Sequence, residues 1–292
     1  MNDFKVVLSS QEAEKMAGTE FRLFRIKFIK PSQKGLFYDS KKTPGEYFLA
    51  ALEERPSLQI RQPYKWHIGN LDYFSKTSGS FAVGRTSRKT VDLYDESTKS
   101  FVEVDHKESS FSYCLFDSEM GILIISRNNR LSQRTEMIAD KIEKLLSLNP
   151  DIRFNDIRVE ISPIPDPESF IKQLSSASQV TRFTATFGGP NPFDADEYFQ
   201  RPMSVYLAST EGEEGSTTIK GESLNNEALV DVAKSTAATG NKASARITRY
   251  TNSKPETIHL EGDPVKRNID LTNHSLQDVL KQFLTVYRNI RG

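Results

Sequence analysis

Two segments of the chain carry basic and hydroxyl side chains at every second position, which is the spacing of one face of a β-strand. The first covers residues 180–187 and the second covers residues 242–250. The polar members are Arg182, Thr184 and Thr186 in the first segment and Lys242, Ser244, Arg246 and Thr248 in the second. The intervening residues of both segments are mostly apolar, so each strand is expected to bury one face and open the other. Arginine, lysine and hydroxyl groups on an open face are typical contacts for a nucleic-acid phosphate backbone.

Other basic residues extend this candidate surface. A basic run at residues 85–89 lies at a predicted strand end or hairpin tip, and a further lysine lies on a late predicted strand. No aromatic residues are interleaved as in sheets that stack RNA bases, so backbone or duplex contact is favoured over base stacking. A solvated sheet face is the alternative explanation for the same charges. The candidate nucleic-acid-binding residues are Arg182, Arg246, Lys242, Lys266, Arg85, Arg88 and Lys89.

The sequence contains no recognisable pattern for metal binding or catalysis. His67, His106, His259 and His274 are not spaced as ligands of one helix or hairpin, and no cysteine cluster exists, so no metal is expected. His67 is better explained as a hydrogen-bonded structural residue. No phosphate-binding glycine loop and no serine-nucleophile turn occur, so we expect no cofactor and name no catalytic residue. The remaining acidic candidates for a nuclease site are Asp156, Glu160 and Asp194.

The first half of the chain is predicted to be an antiparallel β-rich domain with a helix at each end. A strand at 21–30 precedes a helix that Thr43 caps, with Glu46 completing a capping box. Ser132 is the predicted cap of a second helix that extends to about Leu148. Polar turns divide the region between these helices into strands at 68–74, 80–85, 90–94, 101–105, 111–116 and 122–126.

The second half mixes helices and strands in an order that predicts an α+β domain, and not a doubly wound parallel sheet. Pro202 is expected to kink or split a helix at 194–208, and residues 211–215 are predicted to form an acidic loop. Gly188 and Gly189 are predicted to end the strand at 180–187. The boundary at Asn149–Asp151 predicts domains 1–150 and 151–292. The other predicted elements are strands at 157–161, 180–187, 242–250, 257–260 and 265–271 and helices from about 166, at 225–238 and at 276–290.

Composition indicates a cytoplasmic protein. The chain has 292 residues with 39 basic and 39 acidic side chains, so nucleic-acid binding would depend on a local basic surface and not on net charge. Cys114 is the single cysteine, which rules out an internal disulfide and fits a reducing compartment. It lies in an apolar run and is predicted to be a buried hydrophobic residue. The N-terminal residues do not resemble a signal peptide, and no apolar run approaches the roughly 20 residues of a membrane span.

Seven segments of the chain follow one another in an order that can be compared with known proteins; they are 47–52, 66–74, 81–85, 113–116, 121–125, 170–192 and 232–246. This order of elements resembles a group of bacterial proteins found near phage-defence genes and, more remotely, is similar to the phage lambda exclusion protein RexA. The likeness covers most of the chain and is carried by pattern, so no functional residue is transferred from it. It implies an α+β protein, with a homodimer as the expected assembly, that senses or binds DNA during phage infection.

Three functions remain open at this point. The first is a non-catalytic nucleic-acid-binding component of a bacterial antiphage defence or exclusion system. The second is a protein-interaction sensor or adaptor subunit of a defence effector, for which the apolar stripe of the terminal helix could pack on another chain or on its own domain. The third is a toxin-like nuclease whose active site is not recognised. Nucleic acid, with DNA as the expected form, and a partner effector protein are therefore the expected partners.

Overall fold

The computed structural model describes residues 18–30, 42–188, 197–212, 214–251, 253–260 and 264–291, without the side chains of residues 88, 89, 91 and 105–107. The chain forms two compact units, of which one consists of residues 26–162 and the other of the chain on both sides of that segment. This division differs from a boundary at residue 150, because the start of strand β1 (Thr19–Ile29) pairs with a strand near the C-terminal end. The unit of residues 26–162 is called the central unit, and the other is called the terminal unit.

The elements of the central unit after β1 are α1 (Pro44–Glu53), β2 (Ser57–Arg61), β3 (Tyr64–Tyr73), β4 (Ser78–Asp95), β5 (Ser100–Asp117), β6 (Ile122–Ser126), α2 (Thr135–Leu146), α3 (Pro150–Phe154) and β7 (Arg158–Pro163). The strands form a sheet in the order β1-β6-β5-β4-β3-β2, in which the second half of β1 lies beside β6, and β7 also pairs with β1. Short polar turns connect β3 to β4 and β4 to β5, so these neighbours are antiparallel.

The sequence rules for helix N-caps predict one of two helix starts in the central unit correctly. Thr43 Oγ1 accepts the backbone N–H of Glu46, and the Glu46 carboxylate accepts the backbone N–H of Thr43, which confirms the predicted capping box. The prediction that Ser132 caps α2 is wrong. Arg134 occupies the N-cap without a side-chain hydrogen bond to the helix, and Ser132 instead bonds to the backbone of Arg134.

Two long strands replace four predicted short ones. β4 and β5 pair without a break in register from Ser78 and Asp117 to Asp95 and Ser100. The predicted strands leave residues 86–89 and 106–110 unassigned, but a two-stranded ribbon with exposed faces accommodates polar residues within its strands. The ribbon's turn after Asp95 coincides with the predicted turn.

Aromatic rings form the core of the central unit. The Phe48 ring on α1 lies 5.2 Å from the Phe116 ring on β5 and 6.1 Å from the Phe28 ring on β1. Phe81 on β4 adds a fourth ring at 6.2 Å from Phe116. Each of these side chains is at most 2% exposed, so the rings fix α1 against the sheet through apolar burial.

The elements of the terminal unit after β7 are α4 (Glu168–Ser176), β8 (Gln179–Gly188), α5 (Gln200–Ser209), β9 (Glu214–Lys220), α6 (Asn226–Ala238), β10 (Ala243–Thr248), β11 (Glu256–His259), β12 (Lys266–Ile269) and α7 (Leu276–Arg291). Four of the strands form a separate antiparallel sheet in the order β11-β10-β8-β9. The Asn225 side chain accepts the backbone N–H groups of Glu227 and Ala228 and so caps α6.

Two predictions for the terminal unit are wrong. Pro202 does not split α5, because it lies in the first helical turn, where its missing N–H has no intrahelical partner. The predicted loop at 211–215 overlaps the start of β9, whose remaining residues were not assigned to any element. Residues 189–196 lie outside the described residues; they include Gly189, which was predicted to end a strand, and the start of the helix predicted at 194–208.

The mixture of helices and antiparallel sheets confirms the α+β fold class. The terminal helix was expected to pack on its own domain or on another chain. Its apolar stripe is buried within the terminal unit, where α7 contacts α6, and Phe283 and Tyr287 have no exposed surface. Within the described residues, no helix is both long and apolar enough to cross a bilayer.

Candidate functional site

The four-stranded sheet has one buried face and one open face. Phe183 and Ala185 on β8 and Ala245 and Ile247 on β10 point inward and are at most 2% exposed. Helix α6 contacts both strands. The alternate residues of the same strands therefore form the open face, as the alternating pattern predicts. Arg182 and Arg246 are both exposed there.

Three cations lie side by side on this face. Arg182 on β8 is paired across the sheet with Arg246 on β10 and, on its other side, with Lys220 on β9. Residues directly opposite on antiparallel strands have Cβ atoms about 5 Å apart, so the three side chains emerge next to one another. We call Arg246, Arg182 and Lys220 the basic row. Thr257 on β11 continues the row beyond Arg246.

Hydroxyl groups occupy the positions next to the basic row. The second row across the sheet consists of His259, Ser244, Thr184 and Thr218, and the hydroxyls of Thr184 and Thr218 are 2.9 Å apart. Beyond it, Thr186 Oγ1 accepts the backbone N–H of Lys242 at 2.8 Å. Lys242 has the same strand parity as Arg246 and is exposed. The open face thus combines cations with hydroxyl donors, which are the groups that bind phosphate oxygens.

The charges of the basic row are not balanced by neighbouring acids. None of the described positions in these rows is acidic. Among the residues that the structure describes, no acid forms an ion pair with Arg182, Arg246 or Lys220, whereas Arg249 pairs with Glu256 on the adjacent strand. Like charges directly opposite one another destabilise a sheet. An anion bound between them would remove that repulsion.

The structure separates the predicted binding residues into different places. Arg182, Arg246 and Lys242 lie on one face of the four-stranded sheet. Lys266 lies on β12, opposite Arg22 on β1, and is not part of that sheet. Arg85 lies on β4 in the central unit.

Arg85 makes contacts that explain it structurally. Its guanidinium carbon lies 4.6 Å from the centroid of the Tyr64 ring, and Nη2 donates to the carbonyl of Arg130 at 3.0 Å. Stacking and a backbone hydrogen bond hold the side chain in place. The side chains of Arg88 and Lys89, on the same strand, lie outside the described part of the structure.

Lys220 is the site residue that sequence reasoning missed. Its strand reads Glu-Gly-Ser-Thr-Thr-Ile-Lys, without the alternation of apolar residues that revealed β8 and β10. The signal present was weaker: a run of residues favoured in strands, between Gly215 and Gly221. β9 lies at the edge of the sheet, so few of its side chains need to be apolar.

The acidic nuclease candidates do not converge on one place in the described structure. Glu160 on β7 has carboxylate oxygens 4.0 Å from Lys27 Nζ and 4.0 Å from an Arg158 guanidinium nitrogen. Asp156 lies in the turn before β7 with φ of 49°. Asp194 lies outside the described residues. Within the described ranges, no group of three or more His, Cys, Asp or Glu residues could hold a metal ion.

Two other predictions from single residues are confirmed. His67 is hydrogen-bonded as expected, with Nδ1 2.8 Å from Ser57 Oγ and Nε2 2.9 Å from Thr86 Oγ1. Partial burial, with a smaller contribution from Lys65, lowers the pKa of His67 below 6.5. Cys114 is completely buried, and this burial raises the pKa of its thiol.

Comparison with known protein families identifies the family of this chain. The family described as "Domain of unknown function (DUF4747)" matches residues 38–285, which is most of the chain. The chain belongs to the DUF4747 family. The matched segment includes the whole four-stranded sheet with its basic row. No curated protein matches the chain.

Proposed function

We propose that this protein is a non-catalytic, nucleic-acid-binding component of a bacterial antiphage defence or exclusion system, with DNA as the expected ligand and the cytoplasm as its location. The observation that carries the binding part is the basic row, three adjacent cations on an open sheet face. The defence setting is supported by the resemblance of the element order to the phage-defence-associated group and to RexA.

The chemistry of the open face favours contact with the phosphate backbone. Arginine guanidinium groups bind phosphate oxygens in a bidentate manner, and threonine and serine hydroxyls donate to the same oxygens. Each phosphate that displaces water and counter-ions from the basic row also reduces the repulsion among its cations. The described residues in these rows include no Phe, Tyr or Trp, and their one aromatic ring is that of His259 on the edge strand β11, so we expect weak dependence on base sequence.

A salt-dependent titration tests this proposal. Full-length protein is titrated with labelled single-stranded DNA, duplex DNA and RNA of equal length, at two salt concentrations and with magnesium present. A variant in which Arg182, Lys220 and Arg246 are all replaced by Gln is compared with a control in which Lys144, Lys281 and Arg288 are replaced by Gln. The control removes the same charge from exposed positions on helices.

We expect salt-sensitive binding by wild type and the control, and at least tenfold weaker binding by the basic-row variant. Equal affinity of the two folded variants would refute the assignment of the site. Absence of binding by wild type to all three nucleic acids would refute the function itself. Cleavage of the labelled strand would instead favour the toxin-like nuclease.

A second candidate function, a protein-interaction adaptor, is favoured by the end of the β4–β5 ribbon. Leu93 and Phe101 are 52% and 77% exposed there, and Tyr94, Val102 and Val104 are also exposed. Clustered exposed apolar side chains are typical of protein-binding surfaces. If the ribbon mediates a homodimer, the double variant Leu93→Ser and Phe101→Ser will be a folded monomer in analytical ultracentrifugation. A wild-type monomer would refute the homodimer.

A further inference from the structure

A cavity of about 620 Å³ lies in the terminal unit and shares no residue with the basic row. Its walls come from the start of α4, from α6, from β12 and from the last turns of α7. This volume falls within the range of about 300–1,000 Å³ that is typical of small-molecule sites. The cavity is therefore large enough for an organic ligand.

Four cations line the cavity from three different elements. Lys172 belongs to α4, Lys234 to α6, and Lys266 and Arg267 to β12. Lys234 is half-buried, and neither it nor Lys172 forms an ion pair with an acid in the described part of the chain. A partly buried ammonium group is stabilised by an anion placed beside it. These positions would meet an anionic group at the cavity wall.

The rest of the lining differs chemically from the cations. Asp166 and Glu168 contribute two carboxylates, and Asp166 Oδ1 also accepts the backbone N–H of Glu168 at 3.0 Å. Four aliphatic side chains contribute the apolar part: Val265 and Ile290 are buried, and Ile171 and Val286 are partly exposed. The lining thus has an excess of cations, two hydrogen-bond acceptors and an apolar wall.

We propose that this cavity binds a nucleoside phosphate. The cations bind the phosphate, the carboxylates accept hydrogen bonds from ribose hydroxyls or an exocyclic amino group, and the aliphatic wall covers the base and sugar. A simple inorganic anion would leave the apolar wall unused, and an uncharged apolar ligand would leave Lys172 and Lys234 without an anion. The same chemistry is offered by a free nucleotide and by the terminal nucleotide of a strand. The inference does not depend on the basic row.

Calorimetric titration of full-length protein tests the proposal with AMP, adenosine and inorganic phosphate as probes. We expect AMP to bind at least tenfold more tightly than adenosine or phosphate, because only AMP engages both the cations and the apolar wall. The double variant Lys234→Gln and Arg267→Gln is expected to lose at least tenfold in AMP affinity. The control Lys144→Gln and Lys281→Gln, at exposed helix positions that do not line the cavity, is expected to bind AMP as wild type does.

Short DNA strands with and without a 5′-phosphate separate the two sources of the nucleotide. Tighter binding of the phosphorylated strand than of AMP, lost in the cavity variant, would assign the cavity to strand ends. If the cavity variant does not fold, Lys172→Gln, at an exposed position, and Val286→Trp, at a partly exposed position, take its place. Absence of AMP binding at millimolar concentration, or equal AMP binding by folded cavity variants, would overturn the proposal. Loss of nucleic-acid binding in the basic-row variant leaves this result unaffected.

Discussion

Replacing the central cation of the basic row should strengthen the fold and weaken binding at the same time. Arg182 lies between Arg246 and Lys220 on strands that are about 4.8 Å apart, and its flexible side chain can move its charge to about 7 Å from each neighbour. At that distance in water, two unit charges repel each other by about 0.6 kcal/mol. Two such neighbours give about 1 kcal/mol at low salt and about half of that near 0.1 M salt.

The variant Arg182→Gln removes this repulsion and keeps part of the aliphatic stem. We therefore expect its free energy of unfolding to rise by about 0.5–1 kcal/mol at low salt, with a smaller gain as salt increases. The measurement is urea unfolding followed by circular dichroism at two salt concentrations. Arg182→Lys retains the charge and should show little of this gain. Lys281→Gln removes a cation from α7, outside the sheet, and should not stabilise the protein.

The same variant should change the salt dependence of nucleic-acid binding. Each phosphate contact with duplex DNA contributes about 0.9 to the slope of log affinity against log salt. Loss of one contact should reduce the affinity change between 50 and 200 mM salt by a factor of about 3.5. A variant that is less stable and has an unchanged slope would refute the reasoning, because Arg182 would then be a packing residue of the sheet. A gain in stability without a change in slope would show that Arg182 is repelled by its neighbouring cations but contacts no phosphate.

Three further predictions concern other parts of the chain. Because His67 has a pKa below 6.5, its neutral form is favoured in the folded state, so the free energy of unfolding should be highest above pH 6.5 and should decline as the pH falls below that value. The variant His67→Gln should reduce this decline, which urea unfolding at pH 7.5 and pH 5 measures. Gln200→Leu should cost about 1–3 kcal/mol in the same assay, because Gln200 is fully buried and its amide bonds the Thr186 carbonyl and Asn241. Gly215→Ala should cost about 1–3 kcal/mol and weaken nucleic-acid binding by displacing β9, since a Cβ atom would lie 2.4 Å from the Phe187 ring. Unfolding curves like those of wild type would contradict the last two predictions, and a titration of His67 above pH 6.5 in NMR spectra would contradict the first.

The alternation within β8 and β10 was enough to place Arg182 and Arg246 on open strand faces, because side-chain direction depends only on parity within a strand. Their direct juxtaposition depends on register, which is a long-range property. In this sheet an irregularity between Arg246 and Ile247 shifts the pairing, and no local signal marks it. The sequence therefore indicates which residues lie on the exposed face of each strand, but not which of them are paired across neighbouring strands.

Pattern reasoning failed where strands are exposed on both sides. β9 and the outer parts of β4 and β5 bury few apolar residues, so they lack the period that identifies half-buried strands. Lys220 was missed for this reason, and the long β4–β5 ribbon was divided into shorter strands. The cavity could not be predicted either, because α4, α6, β12 and α7 are brought together only by tertiary packing.

The size of the open face sets a limit on the affinity that it can provide. The basic row spans about 10 Å across three strands, and Lys242 lies about 13 Å along β10 from Arg246. Four cations can contact at most four phosphates, which corresponds to a salt slope no steeper than about −3.6 on duplex DNA. Binding by this face alone should be of the non-specific kind, with dissociation constants of about 10⁻⁴–10⁻⁶ M. A steeper slope would require further cations, of which Lys266 in the terminal unit is a candidate. Substitution of Lys266 by Gln would then make the slope shallower, whereas it should not change a slope that is already −3.6 or shallower.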